Sequence, residues 1–356
     1  MNKQNSNTSF DTPPSLAMIR LITSFWVLRA IYIAAKLGVA DLLKDESKEI
    51  GELANATGSH GPSLYRVLRA LASVGIFAEE EQGRFALTPL GATLRTDVPG
   101  SLRAWVNVQL GEEHYRAWGE SMHSVQTGET TFDHVFGTGV WQYRALNPDH
   151  AKLFDEAMAN LTGINNTAVL SSYPLSRFEK IVDVGGGDGG LLIEILEANP
   201  SVRGVLFDLP HVAEKAKKRI TDAGLEGRCQ VVAGDAFASV PDGADAYILS
   251  RVIHDWDDAR SIAILRNCNR AIVETGRLLL VEGVVRSGNE PDISKFFDLN
   301  MMVLNGGRER TAAEYQALLE AAGFTLVTII PTQSVMGVSV IECMPVRNQD
   351  ITQKVV

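Results

Sequence analysis

The stretch Ile181-Val182-Asp183-Val184-Gly185-Gly186-Gly187-Asp188-Gly189-Gly190 constrains the fold more than any other part of the chain. An apolar run of buried-strand type stops at a block of glycines, and the helical pattern Leu191-Leu192-Ile193-Glu194-Ile195-Leu196 follows at once. Glycines at such a strand-to-helix turn let the backbone approach a ligand closely and leave helix amides aimed at it. Gly185, Gly187 and Gly190 also satisfy the G-x-G-x-x-G spacing of dinucleotide sites, so this motif alone leaves the ligand open.

Further short apolar runs lie at Gly204 to Phe207, Gln230 to Val232, Ala246 to Leu249 and Arg277 to Glu282, separated by amphipathic segments or loops. Strands alternating with helices predict a doubly wound α/β domain over residues 177–346. Thr325 to Ile330 and Gly337 to Cys343 predict an antiparallel hairpin at its edge. The second strand ends in Phe207-Asp208-Leu209-Pro210, putting Asp208 about 20 residues past the glycines, where such folds place an acid on ribose hydroxyls. Gly234-Asp235-Ala236-Phe237 and Leu249-Ser250-Arg251-Val252-Ile253-His254-Asp255-Trp256 close two more strands with polar residues at the same end.

The N-terminal part reads differently. From Leu16 to Leu37 the apolar residues surround a helix instead of forming one stripe, which predicts burial on all sides, best met by a second copy in a two-fold dimer. Glu49 to Ala54, the turn Thr57 to Pro62 and Ser63 to Leu71 predict a helix-turn-helix; Gly75 to Ala78 and Arg84 to Thr88 predict the two strands of a wing. Residues 15–98 are therefore expected to form a winged-helix dimerisation domain, and residues 99–176 a helical linker. Residues 1–14 and 347–356 are expected to be tails. Glu79, Glu80 and Glu81 occupy the wing tip, where a DNA binder needs cations.

Lys and Arg total 33 against 43 Asp and Glu, a net charge of −10 that opposes binding to nucleic acid or anionic lipid. Cys229, Cys268 and Cys343 show no C-x-x-C spacing, and the four histidines between Pro99 and Thr162 include no i, i+4 pair, so no metal is expected. No secretory signal is visible, and Arg20, Arg29 and Lys36 interrupt the most apolar stretch, so a cytoplasmic protein without a membrane span is expected.

Taken together, Asp183-Val184-Gly185-Gly186-Gly187-Asp188-Gly189, Phe207-Asp208-Leu209-Pro210, Gly234-Asp235, His254-Asp255-Trp256 and Gly306-Gly307-Arg308-Glu309-Arg310-Thr311 resemble the motifs of the S-adenosylmethionine-dependent O-methyltransferases. The likeness is to the dimeric family of plant caffeate and flavonoid enzymes, animal acetylserotonin methyltransferase and bacterial natural-product tailoring enzymes, and it runs over nearly the whole chain. It implies S-adenosylmethionine as cofactor, a small phenolic acceptor and a homodimer. Gly185 and Gly187 would line the methionine part of the cofactor, Asp208 with Leu209 the ribose, and Asp235, Ala236 and Phe237 the adenine, with Arg251 closing that side. Plant enzymes often carry methionine where Ala236 stands, so packing on the ring would differ. His254 would be the catalytic base, flanked by Glu282 and Glu309, while Phe154, Met158, Asp255, Asn300, Met301 and Leu304 would face the acceptor.

The chemistry of the residues agrees. The donor's methyl is already activated by its sulfonium, so the protein need only align the acceptor and remove its proton. A phenol near pKa 10 can pass its proton to a histidine near 6.5 as the oxygen attacks, and a carboxylate can orient the ring and favour the imidazolium. Two alternatives remain from the residues alone. A nicotinamide-dependent oxidoreductase would use the same glycines, against which stand the preceding helical domain, Asp183 before the first glycine and the terminal hairpin. A winged-helix, ligand-sensing transcription regulator is opposed by the acidic wing and the net charge.

Overall fold

The computed structural model describes residues 13–81 and 83–347. Of the expected tails 1–14 and 347–356, residues 1–12 and 348–356 lie outside the described residues, as does residue 82, while Pro14 already belongs to the first helix. The chain divides into two compact units, Met1–Glu112 and Glu113–Val356, so the segment 99–112 groups with the first unit instead of with the linker that follows it.

The first unit contains α1 (Pro14–Leu37), α2 (Val39–Leu42), β1 (Lys48–Glu49), α3 (Ile50–Thr57), α4 (Gly61–Ala72), β2 (Phe77–Glu81), β3 (Arg84–Leu87), α5 (Pro89–Ala92) and α6 (Arg103–Gln109). Helix α1 starts on a proline and stops at Gly38, whose φ of 67° returns the chain through a left-handed turn. A capping box between Glu49 and Glu52 starts α3. Strands β2 and β3 pair antiparallel as the wing, with β1 as an unanticipated third strand against β3. Leu53, Leu64, Leu68, Leu71, Phe77 and Phe85 form the core.

The expectation that α1 is buried on all sides is not met within one chain. Ala34 and Ala35 are buried, but Leu21, Ile22, Phe25 and Trp26 face outward, Trp26 with 69% of its surface exposed. By length and composition α1 could also cross a membrane.

In the second unit the helices α7 (Glu112–Gly119), α8 (Met122–Thr127), α9 (Thr131–Phe136), α10 (Val140–Leu146) and α11 (Pro148–Ser172) precede the sheet. Next come β4 (Lys180–Val184), α12 (Gly190–Ala198), β5 (Arg203–Asp208), α13 (Pro210–Asp222), β6 (Cys229–Ala233), β7 (Ala246–Ser250), α14 (Asp258–Ala271) and β8 (Arg277–Val285). The chain then forms α15 (Ser294–Leu304), β9 (Arg310–Thr311), α16 (Ala312–Ala321), β10 (Phe324–Pro331) and β11 (Val338–Pro345). The sheet order is β10-β11-β8-β7-β4-β5-β6, with β9 added to the end of β8.

Strands β8, β7, β4, β5 and β6 are mutually parallel, and β11 and β10 run antiparallel at the edge, which is the predicted doubly wound sheet with its hairpin. The near-continuous apolar runs follow from burial on both faces: Val182, Tyr247, Leu249, Leu278 and Leu280 are fully covered. Because β4 leads to β5 on one side and has β7 on the other, a crevice opens at this reversal outside the carboxyl ends of the strands, where ligands bind in such sheets.

Candidate active site

Four strand ends converge on the crevice. Gly185 and Gly187 follow β4 with φ of 71° and 60°, a conformation that L side chains rarely adopt. A Cβ on Gly185 would come within 2.8 Å of Val252 Cγ2, whereas one on Gly187 would meet nothing within 4 Å. The loop is thus tight toward β7 and open above Gly187. Asp208 fixes it from β5, with Oδ2 accepting the Gly187 N–H at 2.8 Å and Oδ1 the Leu209 N–H at 2.6 Å.

Beneath the loop Asp183 is fully buried, with neither carboxyl oxygen hydrogen-bonded. Burial first, then the neighbouring Asp208 and Asp188, push its pKa up to about 7. At the end of β6, Asp235 Oδ1 accepts the Phe237 N–H, and Phe237 meets Trp256 edge to face with centroids 4.9 Å apart. Leu209 and Phe237 are apolar yet exposed beside Asp208 and Asp235, as a slot for a flat base attached to a ribose diol requires. Ala236 packs against the core and its carbonyl accepts from Asn267 Nδ2. These strand ends fit an adenosyl cofactor.

After β7 the chain makes the turn Ile253–Asp255, in which His254 is 4% exposed. Its Nδ1 lies 2.9 Å from Glu309 Oε1, and its Nε2 lies 3.6 Å from Asp255 Oδ1, an oxygen that accepts from Asn305 Nδ2 at 2.8 Å. Burial and Arg251 both disfavour the imidazolium, but Asp255, Glu309 and Glu282 outweigh them and raise the histidine pKa above 6.5. Burial also pushes Glu309 up, but His254, Arg251 and Arg310 together hold it below the ordinary carboxylate value.

Glu282 does not orient the ring as expected. Its Oε1 accepts the N–H groups of Val252 and Ile253 at 3.0 and 2.8 Å, so it holds the backbone on which His254 sits. Burial is the main cause of its pKa rising to about 7. One ligand atom from each of His254, Glu282 and Glu309 lies within 4.8 Å of the others. That spacing suits a metal ion; His254 Nδ1 is engaged by Glu309 Oε1 and Glu282 Oε1 by two amides, while the buried Oε2 atoms of Glu282 and Glu309 have no hydrogen-bond partner.

Arg251 reaches the same group of side chains. It has φ 56°, the sole positive value among the described non-glycine residues, and its guanidinium lies 4.0 Å from Glu309 and over the ring of Phe297. That sets it beside Glu309, with Nη1 buried and without a hydrogen-bond partner of its own.

Among the expected acceptor residues, Asn300 is buried and takes the Trp118 Nε1–H at 3.0 Å. Met301 is buried, Met158 is half-buried on α11, and Leu304 is buried among Ala117, Phe132, Val140 and Val303. Phe154 lies under the Arg144 guanidinium at 3.7 Å and meets the edge of Trp141. Arg144 is buried and donates from Nε and Nη2 to Glu113 Oε2 at 3.2 and 3.0 Å, while His150 Nδ1 lies 2.8 Å from Glu113 Oε1. Sequence reasoning missed this cluster because Glu113, Arg144 and Phe154 share no motif. It also missed the contacts of Trp256 and Arg310, although both stood inside motifs already singled out.

Comparison with known proteins identifies the family. A family profile described as an O-methyltransferase domain matches residues 118–325, and one described as an O-methyltransferase dimerisation domain matches residues 19–97, which includes most of α1. A phenazine O-methyltransferase from Lysobacter antibioticus is 48% identical over 341 residues, 96% of this chain and 99% of that protein. The solved structure of LaPhzM superposes with a TM-score of 0.89 at 48% identity, covering 94% of this chain and 100% of that one. An O-methyltransferase of neocarzinostatin biosynthesis, solved with S-adenosylmethionine and 2-hydroxy-5-methyl naphthoic acid, gives a TM-score of 0.79 at 34% identity, with 95% and 100% of the two chains covered. Strand ends shaped for an adenosyl group, a buried histidine–carboxylate pair beside them and these matches along both units lead to one assignment: the chain belongs to the S-adenosylmethionine-dependent O-methyltransferases.

Proposed function

We propose that this enzyme methylates a phenolic hydroxyl on a small polycyclic aromatic natural product, with His254 as the general base. The observation that carries the reading is the 2.9 Å contact between His254 Nδ1 and Glu309 Oε1 in a water-poor site. A carboxylate at Nδ1 keeps a proton there, so Nε2 presents its lone pair and can take the phenol proton. S-adenosylmethionine supplies, when bound, a methyl group already activated for transfer. Gly185, Gly187, Asp208 and Asp235, with the apolar Leu209, Ala236 and Phe237, would hold it at the strand ends next to that histidine.

As proton transfer proceeds, the imidazolium forms against Glu309 and Asp255, whose charges stabilise it where water cannot. Asn300, Met301, Met158 and Phe154, with Trp118, would form an aromatic-compatible wall for the acceptor. The relatives named for phenazine and naphthoic acid chemistry support a fused-ring substrate. The exposed apolar face of α1 within the dimerisation match supports a homodimer closed by that helix.

The deciding experiment incubates the enzyme with labelled S-adenosylmethionine and a panel of hydroxyphenazines, hydroxynaphthoates and monocyclic phenols, with amine analogues as controls. A product gaining one methyl on a fused-ring phenol oxygen is expected; transfer to nitrogen alone, or to monocyclic phenols alone, overturns the reading.

A further inference from the structure

We propose that Arg310 is a positioning residue for methyl transfer, its guanidinium gripping the peptide carbonyls on either side of the His254 turn so that the imidazole is presented in one orientation. The proposal rests on the reading of His254 as base.

Arg310 is completely buried, the largest side chain so enclosed among the described residues. Its Nη1 donates to the carbonyl of Ile253 at 3.2 Å and its Nη2 to that of Trp256 at 2.9 Å, the residues just outside His254-Asp255. Nε and Nη2 both donate to Asp258 Oδ1, at 3.0 and 2.8 Å, and Nη2 reaches Ser261 Oγ. Only a planar fork of several donors reaches these acceptors together, which a lysine cannot do.

The turn needs such support. It is a single 3-10 turn with few bonds of its own, entered through the left-handed Arg251. Glu282 holds its amides from one side, and Arg310 holds its carbonyls from the other. The loop carrying Arg310 is also pressed onto it: Arg308 N–H donates to the His254 carbonyl at 2.8 Å, and a Cβ on Gly307 would fall 2.1 Å from that same oxygen. Asp258 is itself more than half exposed, so an ion pair alone does not account for burying the guanidinium. Arg310 has a second route to the ring, since its charge helps keep Glu309 ionised against His254.

The test compares Arg310→Met, Arg310→Lys, His254→Ala and the double variant H254A/R310M in the full-length enzyme. Folding is read by thermal melting, ligand affinity by calorimetry with S-adenosylhomocysteine, and turnover across pH with labelled methyl donor. Arg310→Met is expected to bind S-adenosylhomocysteine within about threefold of wild type yet lose kcat by ~100-fold, the cost of a misplaced base. Its acid limb should move to lower pH, because a less ionised or displaced Glu309 no longer favours the imidazolium. Arg310→Lys should recover part of kcat, and the double variant should be no slower than His254→Ala.

A kcat within threefold of wild type with an unmoved acid limb, or losses that multiply in the double variant, overturns the proposal. If Arg310→Met does not fold, Asp258→Ala removes the oxygen that takes both Nε and Nη2 and so releases one end of the fork: a severalfold loss of kcat with the same limb shift supports the role, and wild-type behaviour overturns it. Failure of the base reading is separately visible as near-normal turnover in His254→Ala.

Discussion

His254 Nδ1 stands 2.9 Å from Glu309 Oε1, with both side chains almost entirely out of water. A charge-assisted bond of this kind is strong because no solvent competes for either partner. His254→Ala is therefore expected to lower kcat by ~100-fold to 10,000-fold, the usual span for a general base, while S-adenosylhomocysteine binds as before. Glu309→Gln should fall between that variant and wild type. Near-wild-type turnover in His254→Ala, with labelled methyl donor and any accepted phenol, would falsify the assignment.

The carboxylates around His254 raise its pKa above 6.5, so at neutral pH part of the enzyme holds an imidazolium that cannot accept a proton. Activity should rise with pH through a midpoint above 6.5. Removing a carboxylate lowers that midpoint, so Glu309→Gln should move the acid limb down. A limb that stays in place in this variant would show that another group titrates.

Glu282 contributes to stability with a definite sign. Its pKa is raised to about 7 from 4.5, so the folded protein favours the protonated form, and this contribution, fully present below 4.5, is lost as pH rises through 7. Glu282→Gln keeps an oxygen for the two amides and has nothing to ionise. Its Tm should therefore fall less than that of wild type between pH 5 and 8, as followed by circular dichroism. Parallel curves for the two proteins would contradict this.

Gly283 lies on β8 where a Cβ would come within 2.7 Å of Glu309 Oε2 and 3.2 Å of Ser294 Oγ. Gly283→Ala pushes that carboxylate away from the histidine without touching the strand ends proposed to hold the cofactor. We expect kcat to drop by at least ~10-fold, because orientation of the base is lost, with unchanged calorimetric affinity for S-adenosylhomocysteine. A weakened affinity at normal kcat would point elsewhere.

Helix α1 exposes Leu21, Ile22, Phe25 and Trp26 in a single chain. If a second copy covers them, Trp26→Asp should weaken dimerisation by several kcal/mol, as loss of a central aromatic anchor does. Sedimentation at micromolar concentration would then show the 38.7 kDa species growing at the expense of the dimer. A wild-type protein already monomeric there ends this reading.

Much of the candidate site's placement was legible because its parts are local. Gly185, Asp208, Asp235 and His254 each close a strand, and a parallel sheet brings all its carboxyl ends to one edge, so strand-end residues far apart in sequence become neighbours. The strands themselves were readable because burial on both faces demands unbroken apolar runs. What stayed hidden was direction. Nothing in the order of residues tells that Glu282 spends its oxygen on two backbone amides, that Arg251 turns to Glu309, or that Leu304 faces inward.

The sequence by itself determined the doubly wound sheet, the terminal hairpin, the winged helix and the identity of the histidine and acids, since periodicity and turn chemistry are properties of neighbouring residues. Only the tertiary structure decided which acid meets the imidazole, that Arg310 lies buried against the turn, and that Glu113 holds Arg144 over Phe154. Those outcomes depend on where side chains from distant elements come to rest and on which buried polar atoms find partners there. Close packing settles both for the folded chain as a whole.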